Sequence, residues 1–533
     1  MPSTPQPATP PAPSLRTGLF RTPDGKNYIV IFVLVSSLFL LWGFCNGMID
    51  TMDKHFQEVL HLSLAQSAWV QFAHYLGYFL MSLPAGWLAM KLGYKGGLIM
   101  GLLIVAAGGF WFIPATHIAA FWAFLLGVCL IASGLTFLET IANPYTTVLG
   151  DKRYGAARIN LAQTCNGAGW IFGPIAGSLF FYSTDSAGRS TGSQTLWIPY
   201  ALVGVVVVIL ATIFFFVDVP DIKPKDEYGL DEPAEHGTAP KGPDREVNRG
   251  LVYCLLLINS TVLVCAIGMI SWVILVSLGM TEAALWRTVG IGGAAAIAVA
   301  ALALVPITRK ISHHSIWTHP HFTSATLAQF FYVAGQSGIF SFLINYMTSE
   351  VPALPSSWAS GWLGSWFSVS NGATHFSDAG AAGLASLGYG FFLAGRFSGA
   401  AILTKYSAHK VLGLYGVINA CICLLIFLKL GWISVCCVFL SYFFMSVMFP
   451  TIFALGIFGL GARAKRASSF IVMAIMGGAI LPKLMGYIAD KHGMSRGFIV
   501  PLVCFGIVAL YAFSWPSLSK SEGLVGASPA KGH

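Results

Sequence analysis

The run AAFWAFLLGVCLIASGLTFLETIANPYTTV, residues 119–148, carries a single charged side chain, Glu139. A helix rises 1.5 Å per residue, so about 20 apolar residues cross the hydrocarbon core of a bilayer. Residues 119–148 are long enough to do so. Runs of the same kind lie at 28–50, 66–90, 96–114, 156–183 and 194–217, then at 251–279 and 283–306. Six more follow, at 321–348, 380–404, 410–429, 432–459, 467–489 and 497–516. Of the 533 residues, 56% are hydrophobic and 10% charged, and the mean hydropathy is +0.72. A soluble chain carries roughly 25% charged residues. The excess apolar surface must therefore face lipid. The same figures exclude collagen, disorder and a disulfide-built secreted scaffold. The expected fold class is an all-α polytopic membrane protein, two six-helix bundles with two extra helices between them, fourteen spans in all.

The charges give the expected orientation. With a cytoplasmic N-terminus, 22 of the 30 Lys and Arg residues fall on the inner side and 5 on the outer side, leaving Arg287, Arg396 and Lys483 within or at the ends of helices. Cytoplasmic loops carry such an excess, so both termini are expected inside a cell membrane. The net charge of +9 is scattered in short clusters between apolar runs. That is a topology pattern and not a phosphate-binding face, so the bilayer is a partner and nucleic acid is not. No cleavable signal peptide is expected. Residues 1–27 read as a Pro-rich cytoplasmic tail, 28–217 as the first six-helix bundle, and 218–250 as a charged connector. Residues 251–310 read as the extra pair, 321–516 as the second bundle, and 517–533 as a second tail. All ten cysteines fall inside apolar runs and read as buried free thiols, with no metal site. His313, His314, His319 and His321 read as a hydrated linker.

A weak internal repeat accompanies the six-plus-six pattern. Gly86, Lys91 and Lys95 recur as Ala400, Lys405 and His409, 314 residues on, and Pro144 recurs as Pro450, 306 residues on. Two landmarks at nearly one offset suggest duplicated halves in parallel orientation. The extra pair interrupts them. Its second run holds Gly290, Gly292, Gly293 and Ala294–Ala296 and has no central acid, so peripheral packing is favoured over a transport role.

An ionisable side chain within lipid is costly and is a functional candidate. Asn46 and Asp50 are four apart on the first helix, although Asp50 also reads as a marker of that helix's outer end. Glu139 and Asn143 are four apart, followed by Pro144. Glu139, with no base near it in sequence, suits a group that loads and releases protons. Asn160, Gln163 and Asn166 form a polar stripe. Amides both donate and accept, which suits a polyhydroxylated ligand, and they also serve as interhelical glue. Gln71, His74, Tyr75 and Tyr78 form a face on the second helix, where His74 reads equally as a ligand contact and as a bonded core histidine. Gln329, Tyr332, Gln336 and Asn345 form one in the second half, where Lys483 either snorkels outward or pairs with an acid. Phosphate loop, zinc spacing and catalytic triad are lacking, so an enzyme is not expected.

Three motifs carry a family resemblance: Trp42-Gly-Phe-Cys-Asn46 leading to Asp50, Phe137-Leu-Glu139-Thr-Ile-Ala-Asn143-Pro144-Tyr145, and Asn160-Leu-Ala-Gln163-Thr-Cys-Asn166. With Met448-Phe-Pro450, Ala467-Ser-Ser-Phe470 and Gly477-Gly-Ala-Ile-Leu-Pro482, the chain resembles the fucose/glucose/galactose:proton symporters of the major facilitator superfamily. The resemblance implies alternating access around a central cavity, with sugar held mainly by the N-terminal half. It implies that Asp50 and Glu139 serve proton coupling and sugar binding, with Asn46 and Gln163 in the site. Gly47 stands where relatives often have a second Asn, and the extra helix pair departs from their usual twelve spans. The expected function is proton-coupled import of a hexose or related monosaccharide, by a monomer using no cofactor but protons. A facilitator or exporter of another polar metabolite and a non-transporting sugar sensor are the alternatives.

Overall fold

A computed structural model of the chain describes residues 18–22, 25–59, 64–181, 196–222, 247–312, 315–355, 357, 366–370 and 373–519. The expected tails are therefore mostly, and the 218–250 connector largely, outside the described residues, as are His313 and His314. The early helices are α1 (Ile29–Val59), α2 (Leu64–Ile118), α3 (Phe121–Val148), α4 (Gly155–Phe181) and α5 (Trp197–Phe216). Then come α6 (Arg249–Ser277) and, after a π-helical turn at Trp286–Ile291, α7 (Gly292–Lys310). The late helices are α8 (Pro320–Ser349), α9 (Asp378–Ile402), α10 (Ala408–Phe427), α11 (Trp432–Met445) and α12 (Met448–Ile457). They continue with α13 (Ala464–Met473), α14 (Gly477–His492) and α15 (Ile499–Ser519). A two-stranded antiparallel hairpin, β1 (Phe367–Ser370) and β2 (Ala373–Phe376), precedes α9.

Among the described residues, eleven helical segments are long and apolar enough to cross a bilayer. Neither α4 nor α9 is among them. Buried Arg158, Asn160, Gln163 and Asn166 on α4 and Arg396 on α9 lower the hydropathy of those two helices. The segment Phe72–Ile118 counts once, although the chain turns within it at Gly93, whose backbone is left-handed (φ 69, ψ −172). A Cβ on Gly97 would lie 3.7 Å from Cα of Ala89, whereas eight residues of straight helix span about 12 Å. The chain therefore doubles back there, at the position where the sequence reading separates 66–90 from 96–114. The expected run 432–459 is likewise broken, into α11 and α12.

Within the early set, α2 packs on α3 and α5, and α1 packs on α4; within the late set, α10 packs on α15, and α8 on α14 and α15. Contact between the sets runs through α4 against α9 and α2 against α13. Helices α1 and α4 cross with their backbones touching, because a Cβ on Gly43 would overlap the carbonyl of Asn166 and one on Gly169 the carbonyl of Leu40. Neither obstacle is a movable side chain. Gly43→Val is therefore expected to cost about 3 kcal/mol or more, at or beyond the upper range for overpacking. Thermal unfolding of the purified variant in detergent checks this, and an unchanged Tm would refute the crossing.

The extra pair is peripheral, as its composition suggests: only 11% of the most apolar window of α6 and 6% of that of the following span are buried. Its attachment is specific. Asn259 Nδ2 on α6 donates to the Thr323 carbonyl (3.0 Å), and its Oδ1 accepts from Thr326 Oγ1 (2.6 Å), both on α8. Tyr253 Oη on α6 donates to the Ala301 carbonyl on α7 (3.1 Å).

Two expectations need correction. The cysteines are all free, but Cys254, Cys265, Cys421 and Cys436 are exposed on their helices instead of buried. Position within an apolar run does not say which side of a helix faces the protein. His319 and His321 are not in a hydrated linker: both are buried, and the His321 Nε2 lies 3.1 Å from the Phe458 carbonyl. Helix α8 begins at Pro320, so His321 already lies in its first turn against α12 and α15.

Candidate functional site

Glu139 sits on α3 and is 1% exposed. One turn on, Asn143 is fully buried, and its Oδ1 accepts from Gln163 Nε2 of α4 at 3.1 Å. The i, i+4 spacing puts Glu139 and Asn143 on one face, and α4 crosses that face. Beside Glu139 stands Tyr78 of α2, whose Oη accepts from Trp42 Nε1 of α1 at 2.7 Å. The His74 ring packs against Tyr78, with centroids 5.0 Å apart, and Asn46 borders the same phenol. Five expected residues, Asn46, His74, Glu139, Asn143 and Gln163, thus converge from four helices.

The stripe on α4 divides between neighbours, because steps of three residues drift around a helix of 3.6 residues per turn. Gln163 turns to α3. Asn160 Nδ2 donates to Thr451 Oγ1 of α12 (3.1 Å), and Asn166 Oδ1 accepts from Arg396 Nη1 of α9 (2.7 Å). Two of the three amides therefore join early helices to late ones. Tyr75 does the same, with its Oη 2.8 Å from Ser337 Oγ of α8. Gln336, the neighbour of Ser337, is half-buried, and Gln329, lower on α8, is fully buried. Tyr332 Oη donates to the Met445 carbonyl (2.9 Å). Asn345 is exposed and does not join the group. Lys483 is exposed and forms no ion pair among the described residues, which agrees with the outward alternative. Asp50 and Gln71 lie on α1 and α2, and their side chains are outside the described residues.

The sequence reading missed Arg396. It counted this residue only as a charge within a helix, yet a base without an acid one turn away in an apolar run is itself a candidate. Arg396 is 4% exposed, and its Nη1 also donates to the Gln163 carbonyl (2.7 Å) while its Nε donates to that of Ser446 (3.1 Å). Also missed were the rings that close the seam around these polar groups. Trp170 of α4 stacks on Tyr389 of α9 at 5.7 Å, and Trp42 of α1 meets Phe449 of α12 at 6.3 Å. At one end of the seam Lys465 Nζ of α13 pairs with Asp221 Oδ1 (2.7 Å) and lies 4.0 Å from the Tyr94 ring centroid. Tyr145 Oη, from α3, donates to the Pro220 carbonyl beside it (3.0 Å).

Many buried polar atoms in this cluster have no hydrogen-bond partner among the protein's own described groups. They are Asn46 Oδ1, His74 Nδ1, both carboxyl oxygens of Glu139, Asn143 Nδ2, Asn160 Oδ1, Gln163 Oε1 and both amide atoms of Gln329. Each such group costs about 1–3 kcal/mol when left unmade, and native proteins leave few of them. Donors, acceptors and one carboxyl on α1, α2, α3, α4 and α8 are thus left with bonding capacity to spare. Among the described residues no three His, Cys, Asp or Glu side chains come together to hold a metal.

Known proteins share this fold. The L-fucose-proton symporter of Escherichia coli (strain K12) is 29% identical over 521 residues, covering 94% of this chain and 97% of the relative. A glucose/galactose transporter of Brucella abortus (strain 2308) is 26% identical over 491 residues, covering 92% and 95%. The crystal structure of the transporter FucP in the outward conformation superposes with a TM-score of 0.63 at 30% identity, over 92% of this chain and 99% of FucP. The signature of the Major Facilitator Superfamily matches residues 29–481. By this match, the chain belongs to the major facilitator superfamily of membrane transporters.

Proposed function

We propose that the protein imports a hexose or closely related monosaccharide together with protons, by alternating access. The observation that carries this is the set of unpaired buried donors and acceptors around Glu139. Sugar hydroxyls both donate and accept, and such a ligand would satisfy amides, an imidazole and a carboxyl together. The relatives, an L-fucose-proton symporter and a glucose/galactose transporter, agree with that chemistry. Asn46, Glu139, Asn143, Asn160, Gln163 and Asn166 would bind the sugar, with Gln71, His74 and Tyr75 from α2 and Gln329 and Gln336 from α8. Asp50 and Glu139 would carry the coupling protons, and no other cofactor is required. The test is uptake of L-fucose, D-glucose and D-galactose into proteoliposomes with and without an imposed proton gradient. Accumulation of one of them only with the gradient is expected; equal uptake without it would point to a facilitator, and no uptake would overturn the reading.

The proposed layout is fourteen spans. They are the eleven segments, α4, α9 and one more from the doubling back at Gly93, arranged as bundles 28–217 and 321–516 around a central site. The extra pair at 251–310 packs outside and rides on α8 through Asn259. Both termini and the 218–250 connector would be cytoplasmic in a cell membrane, and one chain would suffice for transport. An impermeant thiol reagent added to intact cells should fail to label single cysteines placed in the connector; efficient labelling would reverse the orientation. Deleting residues 250–310 and rejoining the halves by a polar linker is expected to lower expression more than sugar affinity. A folded deletion protein that no longer binds sugar would show that the extra pair shapes the site.

A further inference from the structure

We infer that the groove between α6 and α7 is a lipid-binding site, which holds an acyl chain of an anionic glycerophospholipid and seats its phosphate on Arg287. The groove is a cavity of about 460 Å³, within the roughly 300–1,000 Å³ of ligand pockets. Val264, Ile267 and Ile274 of α6 wall it on one side, and Val289 and Ala296 wall it on the other. The helices come close at Gly268, where a Cβ would lie 3.3 Å from Val289 Cγ1. Beyond that contact Gly292 and Gly293 put no side chain into the gap, and a Cβ on Gly292 would meet nothing within 4 Å. Thr288 and Val289 of the lining belong to the π-helical turn, and such turns are frequent at functional sites.

The surroundings decide what can enter. Helix α6 turns another face to the late set, with Asn259 bonded to α8 and Ala266 packed among Phe330 of α8 and Ile480 of α14. Both spans of the pair are otherwise largely unburied, so the groove opens to hydrocarbon and a water-soluble ligand has no route to it. The lining from Val264 to Leu275 rises about 16 Å, close to half of a core about 30 Å thick and so the depth of one leaflet. Near one end the rings of Trp272 and Trp286 meet edge to face at 5.1 Å, and indoles mark the membrane interface. Arg287 stands between Trp286 and Thr288, exposed and in no ion pair among the described residues. The anion a membrane offers at that depth is the lipid phosphate, which guanidinium bonds with two parallel N–H groups. Ser271 and Thr288 are the hydroxyl-bearing residues of the lining, suited to donate to the ester oxygens next to that phosphate. A zwitterionic headgroup brings its own cation beside Arg287, so an anionic one is preferred. A second copy in the same membrane would set its own Arg287 at the same depth, and the like charges disfavour that pairing. The site is independent of the transport reading.

The test needs no sugar. The full chain, purified in a mild detergent, is incubated with equal amounts of phosphatidylglycerol and phosphatidylcholine of identical acyl chains, and native mass spectrometry reads the lipid retained. The parent is expected to keep one phosphatidylglycerol per chain, favoured about tenfold over phosphatidylcholine, as one charge-assisted bond allows. Arg287→Gln is expected to bring the two lipids to parity. Gly292→Leu fills the groove where a side chain meets no neighbour, so it is expected to lower retention of both lipids about tenfold by excluding the acyl chain. If that variant does not fold, Ala296→Leu, exposed on the same wall, serves instead with the same expectation. Equal retention of the two lipids by the parent, or a preference unchanged in Arg287→Gln, would overturn the inference. So would retention unchanged in the filled variant. A dimer of the parent that Gly292→Leu splits into monomers would put a second copy in the groove and overturn it as well.

Discussion

Asp50→Asn is expected to abolish gradient-driven accumulation of sugar while leaving sugar exchange in place. Asn preserves the shape and a hydrogen-bonding side chain but cannot carry a proton. Exchange across the membrane moves loaded carrier in both directions with no net proton cycle, so it survives loss of the titratable site. Accumulation requires that cycle and falls to equilibration. Asp50 stands four residues after Asn46 on α1, directly after the apolar span Ile29–Ile49, and the helix continues nine residues beyond it to Val59. Its proposed coupling role rests on the resemblance to the symporters. Counterflow and gradient-driven uptake measured on one proteoliposome preparation separate the two activities. Normal accumulation in the variant would remove Asp50 from the coupling path.

The apolar runs were legible because lipid imposes a length and a composition on every span. Boundaries were less so where glycine and proline intervene. Gly93 turns the chain inside one continuous hydropathic segment, and the run at 432–459 divides between α11 and α12. The acid Glu139 and its partner Asn143 could be read directly, since a lone carboxyl in a 30-residue apolar run has few roles. What spacing did not give was direction. Asn160, Gln163 and Asn166 look like one stripe, yet each bonds to a different helix. Asn345 shares a helix with Gln329 but faces outward. Arg396 shows the deeper limit. Its acceptors on α4 are 233 and 230 residues away in the chain and the Ser446 carbonyl is 50 away, so no local pattern announces them, and a backbone carbonyl carries no sequence signature at all.

Glu139→Gln is expected to weaken sugar binding by about tenfold or more. The substitution keeps size and one acceptor but would remove the charge-assisted bond proposed between the carboxylate and a sugar hydroxyl, and such bonds contribute about 1.5–3 kcal/mol. At 1.4 kcal/mol per decade, that is one to two orders of magnitude in Kd. Burial favours the upper part of the range, because Glu139 is 1% exposed and water competes little for its oxygens. The neighbours should stay in place. Gln163 bonds to Asn143 and Tyr78 accepts from Trp42, so neither contact needs the carboxylate. Stability is therefore expected to change much less than affinity. Equilibrium binding of the transported sugar to purified protein, alongside thermal unfolding, tells the cases apart. Unchanged affinity would remove Glu139 from the sugar site. Loss of affinity accompanied by an equal loss of stability would mark it as a structural group, whereas weakened binding at an unchanged Tm would place the carboxyl on the ligand.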